Sequence, residues 1–109
     1  MNIQKNKITI SGIKFFIKNK NKEIARAYLY ILKNNLHKKP FAFIEDVFVQ
    51  EDYRGKGLGT KILNKLIEEA KEIKCYKIIA NARNERQNVH NFYKNLGFKD
   101  WGKEFRLDI

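Results

Sequence analysis

The sequence has little of several residue types, and each shortage narrows the class of protein. A single cysteine, Cys75, among 109 residues excludes an internal disulfide framework and an all-cysteine metal cluster, and predicts a buried thiol that fills space. No apolar run approaches the length of a membrane span, and residues 1–7 lack the hydrophobic block of a signal peptide. These absences predict a cytoplasmic protein without a membrane segment.

Histidine and proline are also scarce. His37 lies in the basic segment 34–40, which ends in the only proline. It has no nearby cysteine, aspartate or second histidine at the spacing that metal ligands need. We therefore predict a surface loop here and no metal site in the protein.

Acidic residues are outnumbered, with 12 Asp and Glu against 23 Lys and Arg, which gives a net charge of +11. This excess would attract any polyanion. The basic residues are nevertheless spread through the sequence and mixed with acidic ones, whereas a nucleic-acid-binding domain concentrates them on one face or interleaves them with exposed aromatic residues. The charge thus supports a phosphate-bearing ligand and gives little support to a nucleic-acid partner.

The apolar pattern predicts one domain over residues 1–109. Its 43% hydrophobic and 13% aromatic residues suffice for a single core. Segment 23–33 contains helix-favouring residues, but its run of Tyr, Leu and Ile after a short polar turn favours the second strand of a hairpin. The predicted strands are 8–17, 23–33, 41–49, 76–80 and 105–109, and the predicted helices are 58–73 and 87–95.

This order predicts a mixed α/β, or α+β, fold. The first three strands should be antiparallel, and the fourth should lie parallel to the third because a helix connects them. The expected architecture is a central sheet of about five strands with two main helices.

The stretch from Val47 to Gly59 organises the chain. A strand, a glycine-rich turn and a helix start follow one another, so that free main-chain N–H groups should converge at the positive end of a helix dipole. Arg54 and Lys56 add fixed positive charge, which a diphosphate would use and a structural turn would not need. The pattern predicts a socket for phosphate oxygens, and the alternative is a glycine-rich connection with lysines for solubility.

Two common nucleotide motifs do not fit this turn. A Walker A loop is excluded because Gly55-Lys56 runs directly into Gly57-Leu58-Gly59, and a GxGxxG fingerprint is excluded because position 60 is Thr60. The turn instead resembles the Arg-Gly-x-Gly-x-Gly turn of the GNAT superfamily, the acetyl-CoA-dependent N-acetyltransferases.

Two carboxylates, Glu45 and Asp46, stand in the middle of the most apolar predicted strand, which is unusual for a core strand. Acetyl transfer from a thioester to an amine needs a neutral amine and a proton for the departing thiolate. Either carboxylate could provide the first, directly or through a water, and Tyr93 the second. Burial in the strand would raise the pKa of the carboxylate toward that of a useful base. The alternatives are an ion pair with a lysine and, for Tyr93, a packing role.

The resemblance to the GNAT superfamily extends over residues 43–109 through three motifs in the same order. Segment 44–49 resembles the strand that binds pantetheine through main-chain groups, 54–59 resembles the diphosphate loop, and Asn84 with 88–98 resembles the motif whose tyrosine protonates the thiolate. The resemblance implies catalytic roles for Glu45 and Tyr93. It implies that the coenzyme, acetyl-CoA, is bound by Val47, Phe48, Val49, Arg54, Gly55, Lys56, Gly57, Leu58, Gly59, Thr60, Asn84 and Asn88.

The resemblance further implies that pantetheine lies between two splayed parallel strands, and that a main-chain amide near Val47 polarises the thioester carbonyl. Segments 44–46 and 75–79 resemble the glucosamine-phosphate N-acetyltransferases, and 44–49 also resembles the diamine and polyamine acetyltransferases. Members usually begin with a strand and two helices that shape the acceptor pocket. Here the first strand is predicted near residue 8, so we expect these elements to be absent.

The resulting functional prediction is transfer of the acetyl group of acetyl-CoA to a primary amine by direct attack. The acceptor is a small amine, an amino sugar or a protein lysine; an open site suits a protein lysine or a large amine, and a second subunit in a homodimer would close it. The alternative is an acyl-CoA-binding module or subunit without turnover, and a basic nucleic-acid-binding domain is a third, weaker interpretation.

Overall fold

Four strands form one mixed sheet in the computed structural model, which describes residues 1–109. The strands are β1 (Ser11–Asn19), β2 (Lys22–Leu32), β3 (Phe41–Val49) and β4 (Ile78–Ala80), and the helices are α1 (Leu58–Ile73) and α2 (Gln87–Asn95). The sheet order is β1-β2-β3-β4; the first three strands are antiparallel, and β4 pairs parallel to β3 after α1. The predicted fold class is therefore confirmed. Neither helix has the length and hydropathy needed to cross a bilayer.

The hairpin of β1 and β2 settles the ambiguous segment 23–33 as a strand. Its connection consists of Lys20 and Asn21, both with positive φ of 52° and 65°. Two consecutive left-handed residues match the right-handed twist of the flanking strands in a two-residue hairpin loop. The short polar turn thus overrides the helix-favouring composition of the following segment.

Two strand predictions differ from the structure at the ends of the chain. The first strand begins at Ser11 rather than at residue 8, and the predicted last strand, 105–109, does not form. Phe105, Leu107 and Ile109 are exposed instead. Alternation of apolar residues favours a strand only where a neighbouring edge accepts its main-chain hydrogen bonds, and no described strand pairs with this segment.

One face of the sheet packs on α1 and forms a small core. Ten residues are buried, and nine of them form one cluster. Because the core is this small, each large buried side chain contributes a considerable share of its hydrophobic stabilisation. Leu63 and Leu66 of α1 are fully buried against Leu29 of β2. The cluster consists of Ala25, Ala27, Leu29, Ala42, Ile44, Ile62, Leu63, Leu66 and Ala70. This packing fixes the orientation of α1 relative to β3.

Both helices end in paired hydrogen bonds that satisfy their last carbonyls. At the end of α1, the N–H of Lys74 donates to Lys71 O and the N–H of Cys75 donates to Ala70 O. Both donor–acceptor distances are 3.0 Å. The N–H groups of Gly97 and Phe98 close α2 in the same way.

Candidate active site

The pairing of the parallel strands β3 and β4 ends just before the predicted site residues of β3. They pair only through Ala42–Ile44 and Ile78–Ala80. Gln50 N–H donates to Ile24 O on β2, so Gln50 and Phe48 face β2, and by alternation Val47 and Val49 point their main-chain groups away from it. These groups therefore point to the side of β3 on which β4 pairs, beyond the last pair, Ile44 with Ala80.

A β-bulge interrupts β3 at this point. The register passes from Tyr28 opposite Glu45 to Arg26 opposite Phe48, so two residues of β3, Asp46 and Val47, face one residue of β2. Asp46 has a φ of 54°, in the left-handed region that Asp tolerates better than most residues. The bulge redirects the strand beyond Glu45.

The two neighbouring carboxylates have different surroundings. Asp46 forms a two-bonded ion pair with Arg26, with Nε to Oδ2 at 2.8 Å and Nη2 to Oδ1 at 3.2 Å. The hydrogen bond and charge of Arg26 lower the pKa of Asp46 below its usual value. Glu45 forms none of the ion pairs in the structure. Of the two carboxylates, Glu45 alone has no ion-pair partner.

The expected burial of these carboxylates is wrong. Glu45 and Asp46 are both exposed, because strand alternation places Glu45 on the face opposite buried Ala42 and Ile44 and because the bulge turns Asp46 outward. The predicted desolvation of the acidic pair by the apolar strand therefore does not occur. An ion pair forms, but its partner is an arginine of β2 rather than a lysine.

Tyr93 of α2 is half-buried against the core cluster. Its ring makes edge contacts with Phe92 and Phe98, at centroid distances of 5.5 and 5.3 Å. Burial raises the pKa of the Tyr93 hydroxyl, and the negative charge of Glu45 raises it further. The hydroxyl is therefore protonated at neutral pH, and Glu45 is close enough for its charge to act on it.

The glycine-rich turn leads into the first turn of α1. Gly55 and Gly57 both have a φ of 78°, which a residue with a Cβ adopts only with strain. Gly57 is the N-cap, it provides no side-chain hydrogen bond, and the first turn has no acidic residue. The N–H groups of Leu58, Gly59 and Thr60 thus lack intrahelical and capping partners at the positive end of the dipole.

An open cleft of about 270 Å³ lies over this turn. It contains seven of the predicted coenzyme-binding residues and two that the sequence did not identify, Tyr53 and Phe92. Its lining consists of Val49, Tyr53, Arg54, Gly55, Gly57, Leu58, Gly59, Thr60 and Phe92. The strand end, the turn, α1 and α2 therefore meet at one cleft, with unmatched main-chain donors on its floor.

The remaining predicted residues lie elsewhere. The Lys56 ammonium lies 5.3 Å from the centroid of the Tyr53 ring, and Lys56 does not line the cleft. Phe48 lies on the other side of β3, with the guanidinium carbons of Arg26 and Arg54 at 4.7 and 5.8 Å from its ring centroid. Asn84 and Asn88 are exposed before and within the first turn of α2, and neither lines the cleft.

Arg54 links the turn to the end of β3. Its Nε donates to Val49 O at 2.8 Å, so one donor of the guanidinium holds the turn in place while the residue still lines the cleft. Sequence reasoning assigned it only to phosphate binding. Tyr53 was overlooked because its hydroxyl accepts from Asn19 Nδ2 at 2.9 Å, a contact between segments 34 residues apart that no local pattern indicates.

Comparison with known proteins agrees with this architecture. Glucosamine 6-phosphate N-acetyltransferase of Trypanosoma brucei brucei is 38% identical over 66 residues, which are 61% of this chain and 43% of that protein. Thialysine N-epsilon-acetyltransferase of Bos taurus is 31% identical over 72 residues, which are 66% of this chain and 42% of that protein. The chain thus spans less than half the length of these curated relatives.

The fold is likewise similar to a solved structure. Glucosamine-6-phosphate N-acetyltransferase from Arabidopsis thaliana superposes with a TM-score of 0.80 at 27% identity, over 89% of this chain and 66% of that one. The family model for acetyltransferase (GNAT) proteins matches residues 6–98, which is most of the sequence. The chain belongs to the acetyltransferase (GNAT) family.

Proposed function

We propose that the protein is an acetyl-CoA-dependent N-acetyltransferase that acts on a primary amine. The observation that carries the proposal is the cleft at the start of α1, where unmatched N–H groups of Leu58, Gly59 and Thr60 meet Val49 at the end of β3 and Phe92 of α2. Such donors at a helix N-terminus suit the diphosphate of coenzyme A. Acetyl-CoA would supply an activated acetyl group as a thioester.

Glu45 and Tyr93 divide the proton transfers between them. Glu45, exposed and outside every ion pair, accepts the proton of the attacking amine, directly or through a water. Tyr93, whose raised pKa keeps its hydroxyl protonated, donates a proton to the departing thiolate. In this proposal the main-chain amide at Val47 polarises the thioester carbonyl. Asp46, paired with Arg26, holds the bulge rather than acting as the base.

The relatives indicate only the chemical class of the acceptor, which is a primary amine. One relative is named for glucosamine 6-phosphate and another for thialysine, both of which carry a primary amine. Glu45 lies on the sheet face opposite α1, next to Tyr28 in the register with β2. An exposed carboxylate beside an aromatic side chain suits a cationic amine that loses a proton before attack.

A binding module without turnover is the second candidate. The sheet face that bears Glu45 also exposes Phe16, and α1 covers only the opposite face. No helix therefore closes this side around an acceptor, whereas the cleft at the start of α1 is lined on several sides. The same open face also suits closure by a second copy, which size-exclusion chromatography with light scattering would reveal.

Thermal unfolding with acetyl-CoA tests both candidates at once. A ligand that binds only the folded state at about 100 times its Kd stabilises it by about 2.7 kcal/mol. We expect a clear rise in Tm with acetyl-CoA, and its absence at saturation would remove both candidates.

Turnover separates the enzyme from the binding module. Release of free thiol should be measured with glucosamine 6-phosphate, thialysine and lysine-containing peptides. Thiol release that depends on one of these amines supports the enzyme. A rise in Tm without release from any of them supports the binding module.

A further inference from the structure

The end of the sheet farthest from the coenzyme cleft carries a cluster of lysines and aromatic rings. We name it the lysine–aromatic surface, and it consists of Lys33, His37, Lys38, Lys39, Phe41, Tyr76 and Lys77. Main-chain hydrogen bonds join its two segments, 33–41 and 76–77. Tyr76 N–H donates to Pro40 O and Ala42 N–H donates to Lys77 O, each at a distance of 3.0 Å. The surface is therefore a fixed part of the fold.

The aromatic rings of this surface are in contact and remain accessible. The ring centroids of His37 and Tyr76 are 4.6 Å apart, and those of Phe41 and Tyr76 are 6.3 Å apart. Tyr76 is 40% exposed, which is unusual for a large ring packed against two others. The cluster thus offers planar groups on which a further ring can stack.

The charge around these rings is of one sign. Lys77 Nζ lies 5.1 Å from the Phe41 centroid and 5.2 Å from the Tyr76 centroid, and Lys33 Nζ donates to His37 O. None of the four lysines takes part in an ion pair, and segments 33–41 and 74–80 contain no acidic residue. The positive potential here is therefore not neutralised within the surface.

We propose that the lysine–aromatic surface binds single-stranded nucleic acid, with a base stacked on Tyr76 and His37 and phosphates near the four lysines. Exposed rings interleaved with cations are the features by which proteins hold unpaired bases and their backbone. The sequence alone argued against such a partner because the lysines looked dispersed, but the fold brings segments 33–41 and 74–80 together. An acidic peptide would form ion pairs with the lysines but would not stack on the aromatic rings, so it would leave the aromatic part of the surface without a partner.

This surface is separate from the proposed coenzyme site. Phe41 begins β3 and Val49 ends it, so a strand of about 3.3 Å per residue places the two sites roughly 26 Å apart. Binding at one site should therefore not require the other to be filled.

Fluorescence anisotropy with a labelled oligouridylate of about 12 nucleotides tests the proposal. With four lysines near phosphates, log K should fall with log salt with a slope of about −3. Tyr76→Ala should weaken binding about 5- to 150-fold, and Tyr76→Phe, which keeps the ring, should not. Lys38→Ala with Lys39→Ala should reduce the slope by about 1.4.

The matched control is Lys5→Ala with Lys7→Ala, which removes the same charge from the exposed N-terminal segment. Equal weakening by this pair would overturn the proposal, as would polyglutamate binding with equal affinity or displacement of the oligonucleotide by saturating acetyl-CoA. If Tyr76→Ala lowers Tm enough to unfold the protein, Lys77→Ala at its exposed position replaces it, and unaltered affinity in that variant would also overturn the proposal.

Discussion

The two ends of α1 have nearly the same backbone conformation and opposite chemistry. Gly57 at the start has φ and ψ of 78° and 13°, and Lys74 at the end has 70° and 37°. At the end, the N–H groups of Lys74 and Cys75 satisfy Lys71 O and Ala70 O. At the start, neither a side-chain cap nor an acidic residue meets the first N–H groups.

Under the proposed function, the difference separates an end that binds a ligand, named here the functional end, from an end that only closes the helix. A glycine at the left-handed position costs the folded state no strain and leaves space above the main chain, where the open cleft lies. Lysine at the equivalent position of the other end adopts a conformation that L-residues disfavour, yet no ligand needs access there. Unpaired donors thus occur where a phosphate-bearing ligand would supply their partners.

The largest effect at the functional end should come from Glu45→Gln. Removing the free carboxylate should lower kcat by about 10²- to 10⁴-fold, because general-base catalysis contributes that much. The rise in Tm with acetyl-CoA should persist, since Glu45 does not line the cleft. Glu72→Gln, on the exposed last turn of α1, is the control. A thiol-release rate equal to that of the wild type would show that the amine is deprotonated without Glu45.

Tyr93→Phe should have the next largest effect, a fall in kcat of about 10- to 100-fold with coenzyme affinity nearly intact. Burial and Glu45 raise the pKa of the hydroxyl, so the advantage of the wild type should persist up to at least pH 10 and be lost only when the hydroxyl ionises. Rates should be measured from pH 7 upward by thiol release. A variant with the wild-type rate at every pH would reduce Tyr93 to a packing residue.

Gly57→Ala tests whether the left-handed glycine matters at the open end. The new Cβ imposes about 1–2 kcal/mol of strain at a φ of 78°, so Tm should fall and acetyl-CoA affinity should drop about 10-fold as the turn moves. Gly102→Ala, in open space without a positive φ, should change neither. Loss of Tm with unaltered affinity would mean that the main-chain donors of this turn do not bind the coenzyme.

Lys74→Gly is the mirror experiment at the closed end. Glycine relieves the left-handed strain but adds freedom to the unfolded chain, so the free energy of unfolding should rise by a net amount of about 0.5–1 kcal/mol. Urea unfolding measures it. The control, Lys71→Gly inside the last helical turn, should lower the free energy of unfolding by about 1 kcal/mol. Equal destabilisation by both variants would contradict the assignment of Lys74 to the left-handed cap.

Local sequence predicted much of the functional end. The stripe of apolar residues at helical spacing gave α1 its bounds, 58–73, and the glycine-rich turn lies directly before it, so the first-turn amides could be anticipated. The same holds for β3 at 41–49 and α2 at 87–95. These features depend on neighbours along the chain, which a pattern can register.

Local sequence patterns could not predict features that depend on residues far apart in the chain. The ion pair of Arg26 with Asp46 joins residues 20 positions apart and accompanies a bulge with no glycine to signal it. Segment 105–109 alternates like a strand, but alternation does not provide a neighbouring edge. Lys74 was missed for a local reason, because it occupies a left-handed position where glycine is the usual residue. The sequence therefore identified the two carboxylates of β3, Glu45 and Asp46, but did not predict that they are exposed.

Asp46→Asn should give the smallest effect and should sharpen the division of roles between the two carboxylates. Asparagine also tolerates a positive φ, so the variant mainly removes the charge that pairs with Arg26. Because both side chains are substantially exposed, Tm at pH 7 should fall only by roughly 2–4 °C.

Since folding lowers the pKa of Asp46 from about 3.8, the stabilisation is present above that value and is lost as the pH falls through the lowered pKa. The gap in Tm between wild type and variant should therefore close in acid, while acetyl transfer at neutral pH stays within a few-fold of the wild type. A loss of kcat as large as that of Glu45→Gln would instead make Asp46 the base.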